Sequence, residues 1–269
     1  MAHPNNYNAI MKFFRPLGNL RPFSALLAVL LMAGAGLPNL IACSSVEKHD
    51  ANTPEGAFKL GEDFEKDERY EEAIAKFTDV KNKFPYSKLA IQAELKIADV
   101  NYKRETYIEA GSAYQLFKEF HPKHPQIDYV TYRLAMSFYK QLPSTIDRDL
   151  AMTDKAILAF DDVLSNYPSS QYAAESREKK QECLKMQALK ELYIATFYLK
   201  HQQYDSALKR YETVIKTYPM IGLDAEALYG AAKSAYFSGE KERADQHLKN
   251  LLSLYPNTDE ARRIQHELH

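Results

Sequence analysis

Two hydrophobic patterns divide the chain. The first is a single apolar run from Phe23 to Leu37, broken only by Ser24 and small residues, and the chain turns polar immediately after Leu40-Ile41-Ala42-Cys43. At about fifteen residues, the run is shorter than the ~20 that a bilayer-spanning helix needs. The second pattern is periodic. Ala73, Phe77 and Pro85 stand at offsets 0, 4 and 12, and the frame returns as Ala110/Tyr114/Pro122, Ala156/Phe160/Pro168, Ala207/Tyr211/Pro219 and Ala244/Leu248/Pro256. Twelve positions before the leading alanine lies another small residue in four of the five units: Gly61, Ala98, Ala195 and Ala232. In the third unit the small residue is Ala135, 21 positions ahead, which puts nine extra residues in that turn.

This spacing predicts five helical hairpins. A small residue on each helix lets two antiparallel helices approach closely, a bulky residue one turn later fills the gap between units, and proline ends the second helix. In residue types and spacing the pattern resembles the tetratricopeptide repeat from about residue 55 to 265. The expected fold is therefore all-α, a right-handed α-solenoid of five such hairpins. The second unit also holds a rival frame, Ala113/Phe117/Pro125.

Two departures from the period carry information. The spacing from proline to the next anchor is 13 residues at three joints but 27 from Pro168 to Ala195, and no Gly or Pro occurs between Ser169 and Tyr218. The fourth unit should open with a helix some fourteen residues longer, about 21 Å extra at 1.5 Å per residue. Its additional length could serve a partner or pack along a neighbouring repeat. The other departure, Gln141 to Leu150, carries Pro143 and Asp147-Arg148-Asp149 just before a helix, a sequence fit for capping.

The opening segment has the charge order of a signal peptide. Residues 1–42 contain no Asp or Glu and carry Lys12, Arg15 and Arg21 ahead of the apolar run. Met11 would make a more ordinary start than Met1. Leu-Ile-Ala-Cys resembles the bacterial lipobox, which implies lipid attachment at Cys43 through a diacylglycerol thioether and an N-acyl chain, with no other cofactor. An ordinary leader with a chance cysteine, or a buried thiol, is the plainer alternative. Several acyl chains hold far more firmly than one, at ~0.8 kcal/mol per buried methylene. Ser44 lacks the Asp that retains lipoproteins in the inner membrane, which points to the outer membrane. Four segments follow: residues 1–42 as lipoprotein signal peptide, 43–54 as lipidated flexible tether, 55–168 as repeats one to three, and 169–269 as repeats four and five with the extended helix.

Composition narrows the function. The chain after residue 42 keeps all but three of the 35 Lys and Arg and every one of the 36 Asp and Glu, a balance that does not suit nucleic acid. With Cys43 acylated, Cys183 is the one thiol left and no internal disulfide is available. Nine Gly, no Trp and 19 Tyr suit helices carrying many amphipathic rings. Enzyme signatures fail. Ala174-Glu175-Ser176 resembles the Glu-Ser of lytic transglycosylases, but Arg177-Glu178-Lys179-Lys180 follows in place of their Gly-Leu-Met-Gln. His121 and His124 flank prolines without a third ligand in view. No Gly-rich phosphate loop or Ser/His/Asp pattern appears.

Local sequence is more specific than the repeat. His124-Pro125-Gln126-Ile127-Asp128-Tyr129-Val130-Thr131-Tyr132, then Asp147-Arg148-Asp149, then Tyr167-Pro168-Ser169-Ser170-Gln171-Tyr172, lie in the order and rough spacing of the BamD family. These are lipoproteins of the outer-membrane β-barrel assembly machine. The resemblance covers most of the chain after Cys43. It implies a non-enzymatic scaffold on the periplasmic face of the outer membrane that binds BamA and BamC-like subunits through its C-terminal half. Its N-terminal half would receive the C-terminal targeting segment of unfolded barrel proteins. A different repeat lipoprotein, such as a type IV pilus pilotin or a cell-envelope coordinator, is the alternative.

Helix geometry supplies a surface for the substrate. Relative to each first-helix anchor, positions −6, −3, +1, +4 and +5 share a face turned away from the second helix. That face carries Phe58 in the first unit, Tyr102 and Lys103 in the second, and Tyr129, Tyr132, Tyr139 and Lys140 in the third. Lysine recurs at +5 as Lys66, Lys103, Lys140 and Lys200. An aromatic, cationic groove suits an extended peptide ending in an aromatic residue and a free carboxylate. The plainer explanation is that each lysine complements its helix C-terminus and each tyrosine is half core. For the partner proteins, the expected surface charges are Lys200 and Arg210.

Overall fold

The computed structural model describes residues 49–267, and among them every regular element is a helix. In chain order these are α1 (Pro54–Lys66), α2 (Tyr70–Lys83), α3 (Lys88–Lys103), α4 (Tyr107–Phe120), α5 (Ile127–Tyr139), α6 (Ala151–Asn166), α7 (Ala173–Lys200), α8 (Tyr204–Thr217), α9 (Asp224–Ser238), α10 (Lys241–Leu254) and α11 (Asp259–Glu267). They form five hairpins and a closing helix, the tetratricopeptide-type solenoid that the period predicts. Cys43 and the leader lie outside the described residues.

The five prolines act as expected. Each second helix ends two residues before its proline, and the residue between, Phe84, His121, Tyr167, Tyr218 or Tyr255, leaves helical geometry at ψ 47 to 54°. A residue preceding proline is pushed from the α region in this way. Its N–H still donates to the carbonyl four residues back, at 2.8 to 3.0 Å, so the last turn closes before the chain departs. Between the two helices of a hairpin, a left-handed residue stands five positions before the leading alanine: Glu68, Glu105, Gln202 and Gly239. The nine-residue insertion replaces that tight turn in the third unit. There the N-cap position falls to Leu150, which offers no side-chain acceptor, and the Asp149 carboxylate one residue earlier accepts the Ala151 N–H at 3.0 Å.

Small residues meet large rings throughout the interior. Ala73, Ala98, Ala110, Ala135, Ala156, Ala195 and Ala207 are fully buried, as are Phe77, Tyr114 and Phe160. Phe117 is buried beside Tyr114, whereas Ala113 only packs against that cluster, so the Ala110 frame gives the register of the second unit. Each core cluster combines one hairpin with the first helix of the next; Ala73, Phe77 and Val80, for instance, pack with Ala57, Ala93 and Val100. The last hairpin has no successor. Helix α11, which the period alone did not predict, supplies the missing face: Ala261 and Ile264 pack on Leu228, Ala232 and Leu251. An end unit needs such a cover.

First helices approach one another closely along the stack (α1 with α3, α5 with α7, α7 with α9, α9 with α11), while second helices of successive units lie further apart and are joined by long side chains, Lys118 to Asp162 and Arg243 and His247 to Glu212. The first helices therefore form the inner face. Helix α7, at 28 residues, has the predicted extra length. Of the two uses open to it, its early turns pack along the preceding unit. Cys183 joins the core of the third hairpin. Lys180 pairs with Asp161 at 2.6 Å, Gln187 binds Thr153 and Asp154 at 2.7 Å, and Lys190 reaches the Arg148 carbonyl at 2.7 Å.

At Gly230 a Cβ would stand 2.2 Å from the Tyr211 ring, which is 3% exposed and has no room to retreat. Gly230→Ala should cost about 1–3 kcal/mol by overpacking. In a Tyr211→Ala background the same change should become neutral or stabilising, because alanine is favoured over glycine in a helix by about 1 kcal/mol. Urea unfolding of the four variants checks the sign reversal.

Candidate functional site

Helices α1, α3 and α5 carry the residues assigned to the groove. Where their inner faces meet lies a cleft of about 330 Å³ lined by Phe58, Gln92, Leu95, Lys96, Asp99 and Tyr129. A smaller hollow of about 150 Å³ adjoins it, sharing Lys96, Asp99 and Tyr129 and adding Glu65, Tyr102 and Arg133. The two make one groove across the first three units.

Charge in the groove is largely compensated. Glu65, only 8% exposed, accepts from Lys96 at 3.0 Å and from Lys103 in a second ion pair. Burial pushes its carboxyl up, but the hydrogen bonds and charges of the two lysines outweigh that and hold it below the usual glutamate range. Lys103, assigned to the groove as a charge partner, is thus already bound to an acid of the preceding unit. Asp99 accepts from the Tyr114 hydroxyl at 2.6 Å and the Tyr129 hydroxyl at 2.8 Å. Its carboxyl is pushed up by burial, which the two hydroxyls only partly offset, and the Tyr129 phenol is pushed up to about 12 by burial and the Asp99 charge.

The aromatic residues divide by depth. Phe58 packs edge-on against Phe77 at 5.2 Å and remains partly open to the cleft. Tyr102 is half-buried, with Tyr107 edge-on at 5.2 Å and the Arg133 guanidinium 4.6 Å above its ring. Tyr132, at 6% exposure, stacks on Tyr172 at 4.6 Å and supports the groove from beneath. Tyr139 is half-buried and donates its hydroxyl to Glu182 of α7; burial and that carboxylate push its phenol up to about 12. Lys66, Lys103, Lys140 and Lys200 all lie exposed at the ends of first helices.

Lys200 lies at a separate hollow of about 410 Å³ between α7, α9 and α11, beside Tyr204, Tyr229 and Phe237. Arg210 is held by the Glu191 carboxylate at 2.9 and 3.2 Å and ties α8 to α7. Asp99 stands on the face read from the sequence, at +1 from Ala98, whereas Arg133 and Lys96 fall outside it. Arg133 stands at −2 from its anchor, outside the face that was selected, although the Tyr129/Arg133 spacing of four was a usable sign that the two side chains meet.

The family model YfiO, described as outer membrane lipoprotein, matches residues 50–228, and a tetratricopeptide repeat model matches residues 226–258. The outer membrane protein assembly factor BamD of Caulobacter vibrioides is 27% identical over 233 residues, covering 85% of this chain and 76% of that protein. The protein of the same name from Rickettsia prowazekii is 30% identical over 190 residues, covering 71% and 75% respectively. Among solved structures, the TPR2AB domain of yeast Sti1 aligns with a TM-score of 0.44 at 18% identity, covering 77% of this chain and 80% of that one.

Glu65 gives the groove a pH signature. Its folded carboxyl lies below the ordinary value of 4.5, so the stability it contributes is present above that value and lost as pH falls through the folded one. Glu65→Gln should destabilise the protein by about 1–3 kcal/mol near pH 7. The deficit should shrink as pH falls below 4.5 and the native residue takes up its proton. Denaturant melts of the pair at neutral pH and along a descending pH series check both parts.

Proposed function

The chain belongs to the outer membrane lipoprotein family that contains the BamD-type assembly factors, and we propose that it serves as a non-enzymatic periplasmic scaffold of the β-barrel assembly machine. In this reading, Cys43 carries the lipid anchor and residues 43–54 tether the solenoid to the outer membrane. The first three units receive extended C-terminal segments of unfolded barrel proteins. The last two units, with α11, hold BamA and BamC-like subunits.

The observation that carries the reading is the continuous groove over α1, α3 and α5. It offers Phe58 and Tyr129 as apolar walls and is backed by Tyr102 and Tyr132, in a chain of this family. An extended peptide fits it for two reasons. The groove crosses three separate helices, so contacts recur at intervals along the ligand. Aromatic walls also accept side chains of varied sequence through burial. For the partner proteins, support comes from the hollow at Lys200, where three aromatic residues and several charges lie open together, with α11 closing the unit behind them. Because the early turns of α7 are spent on unit three, contacts with partners fall to its later turns and to α8–α11.

The anchor is tested by Cys43→Ser. Mature variant protein should leave the membrane fraction when cells are washed at high salt with BamA depleted; continued sedimentation with outer membrane would contradict it. Placement of partners is tested by Lys200→Glu, since Lys200 is exposed and has no ion pair among the described residues. Capture of BamA from detergent-solubilised membranes should fall several-fold with helicity unchanged. Undiminished capture would count against this face. Arg210→Glu is a less clean variant, because it also breaks the Glu191 pair.

A further inference from the structure

Arg133 is the one partly buried arginine in the described chain without an acid partner. Arg210 and Arg243, the other two, are bound to Glu191 and to Glu212 and Glu240. Arg133 has no carboxylate oxygen within 4.0 Å among the described residues. Its guanidinium lies 4.6 Å from the Tyr102 ring centroid, 5.3 Å from Tyr129 and 5.9 Å from Tyr132. Nε–H donates to the Tyr129 hydroxyl at 3.2 Å, and the guanidinium also acts on the Tyr102 hydroxyl. The group also lines the 150 Å³ hollow, so it borders space within the groove.

No neighbouring acid forms an ion pair with it. Lys96 and Lys103 are both bound to Glu65, and Glu62 at the cleft wall is bound to Lys59. The Asp99 carboxylate is held by two tyrosine hydroxyls. Glu175 faces Tyr102 and Tyr132 from the start of α7 and forms no ion pair with Arg133. Arg133 is therefore an unpaired planar cation with donors to spare, fixed in orientation by aromatic faces and weakly hydrated. This combination suits bidentate recognition of a carboxylate.

We propose that Arg133, rather than the lysines at the helix ends, receives the carboxylate of the bound peptide, with the adjoining cleft at Phe58 and Leu95 taking the apolar side chain beside it. The proposal rests on the peptide-groove reading above and makes Arg133 its specificity-determining residue. Two carboxylates could fill the position, the C-terminus of a chain or an acidic side chain near it.

The test is fluorescence anisotropy of the full mature chain in detergent with a labelled ten-residue peptide ending in phenylalanine. Three forms are compared: free acid, C-terminal amide, and amide with a glutamate at the penultimate position. Wild type should bind the free acid about tenfold more tightly than the amide. In Arg133→Gln that preference should vanish, with both forms binding at the level of wild type with amide. Arg133→Lys should recover it only in part, for want of the fork, and Lys140→Gln, at an exposed helix-end lysine with no ion pair among the described residues, should leave it intact. Recovery of Arg133-dependent affinity by the glutamate amide assigns the position to side-chain carboxylates as well; without recovery it belongs to the chain terminus. An undiminished preference in a folded Arg133→Gln variant overturns the proposal, as does equal binding of acid and amide by wild type, which leaves the groove standing. Failure of wild type to bind any form sinks the groove reading itself.

Discussion

A Cβ added at Gly61 would meet the Phe77 ring at 2.7 Å, and one added at Gly230 would meet Tyr211 at 2.2 Å. At both places a first helix lies so close to a second that only a missing side chain makes room. Gly61 is the anchor of its unit and Gly230 stands two positions before the anchor Ala232; the alanines at the anchors work by the same constraint. Close approach puts the rings of the second helices inside the stack, where Phe77, Tyr114 and Phe160 are fully buried. With no disulfide among the described residues, this packing is what holds successive units in register. Each cluster stays incomplete until the next unit adds its first helix, so the fold is cooperative between neighbours and needs α11 at its end.

The functional surface follows from the same geometry. First helices that touch along the stack bring residues from three units to one strip, and charges meet across units. Glu65 of α1 binds lysines of α3, Asp99 of α3 binds a hydroxyl of α5, and Tyr139 of α5 binds Glu182 of α7. Acid and base are thereby matched inside the groove. What is left to meet a ligand is apolar surface and the guanidinium of Arg133. For the proposed role of binding extended chains of many sequences that balance is useful, since burial tolerates variety while one oriented cation fixes the register of the ligand.

Much of the fold was legible in the sequence because it is periodic. Alanine, ring and proline at fixed offsets located the hairpins and the 27-residue spacing located the long helix, whereas unit two offered two frames three residues apart, and only the burial of Tyr114 with Ala110 decides between them. Helix α11 was not legible, being one helix without a partner and outside the five-fold count. The groove was legible as a strip of helix positions, and Phe58, Tyr102 and Tyr129 do line it. Partner choice was not. That Lys103 pairs with Glu65, 38 residues earlier, depends on how one unit is turned upon the next, which no local spacing encodes. Tyr132 turned inward to meet Tyr172 for the same reason.

A peptide carrying a photoreactive phenylalanine analogue as its last residue, cross-linked to the full chain with adducts mapped by mass spectrometry, tests whether the inner face of the first three units, and no other surface, takes the end of an extended chain. Adducts are expected on α1, α3 and α5, concentrated at Phe58, Leu95 and Tyr129 and suppressed by excess unlabelled peptide. Competable adducts confined to α8–α11, or to the outward faces of α2, α4 and α6, would contradict that placement.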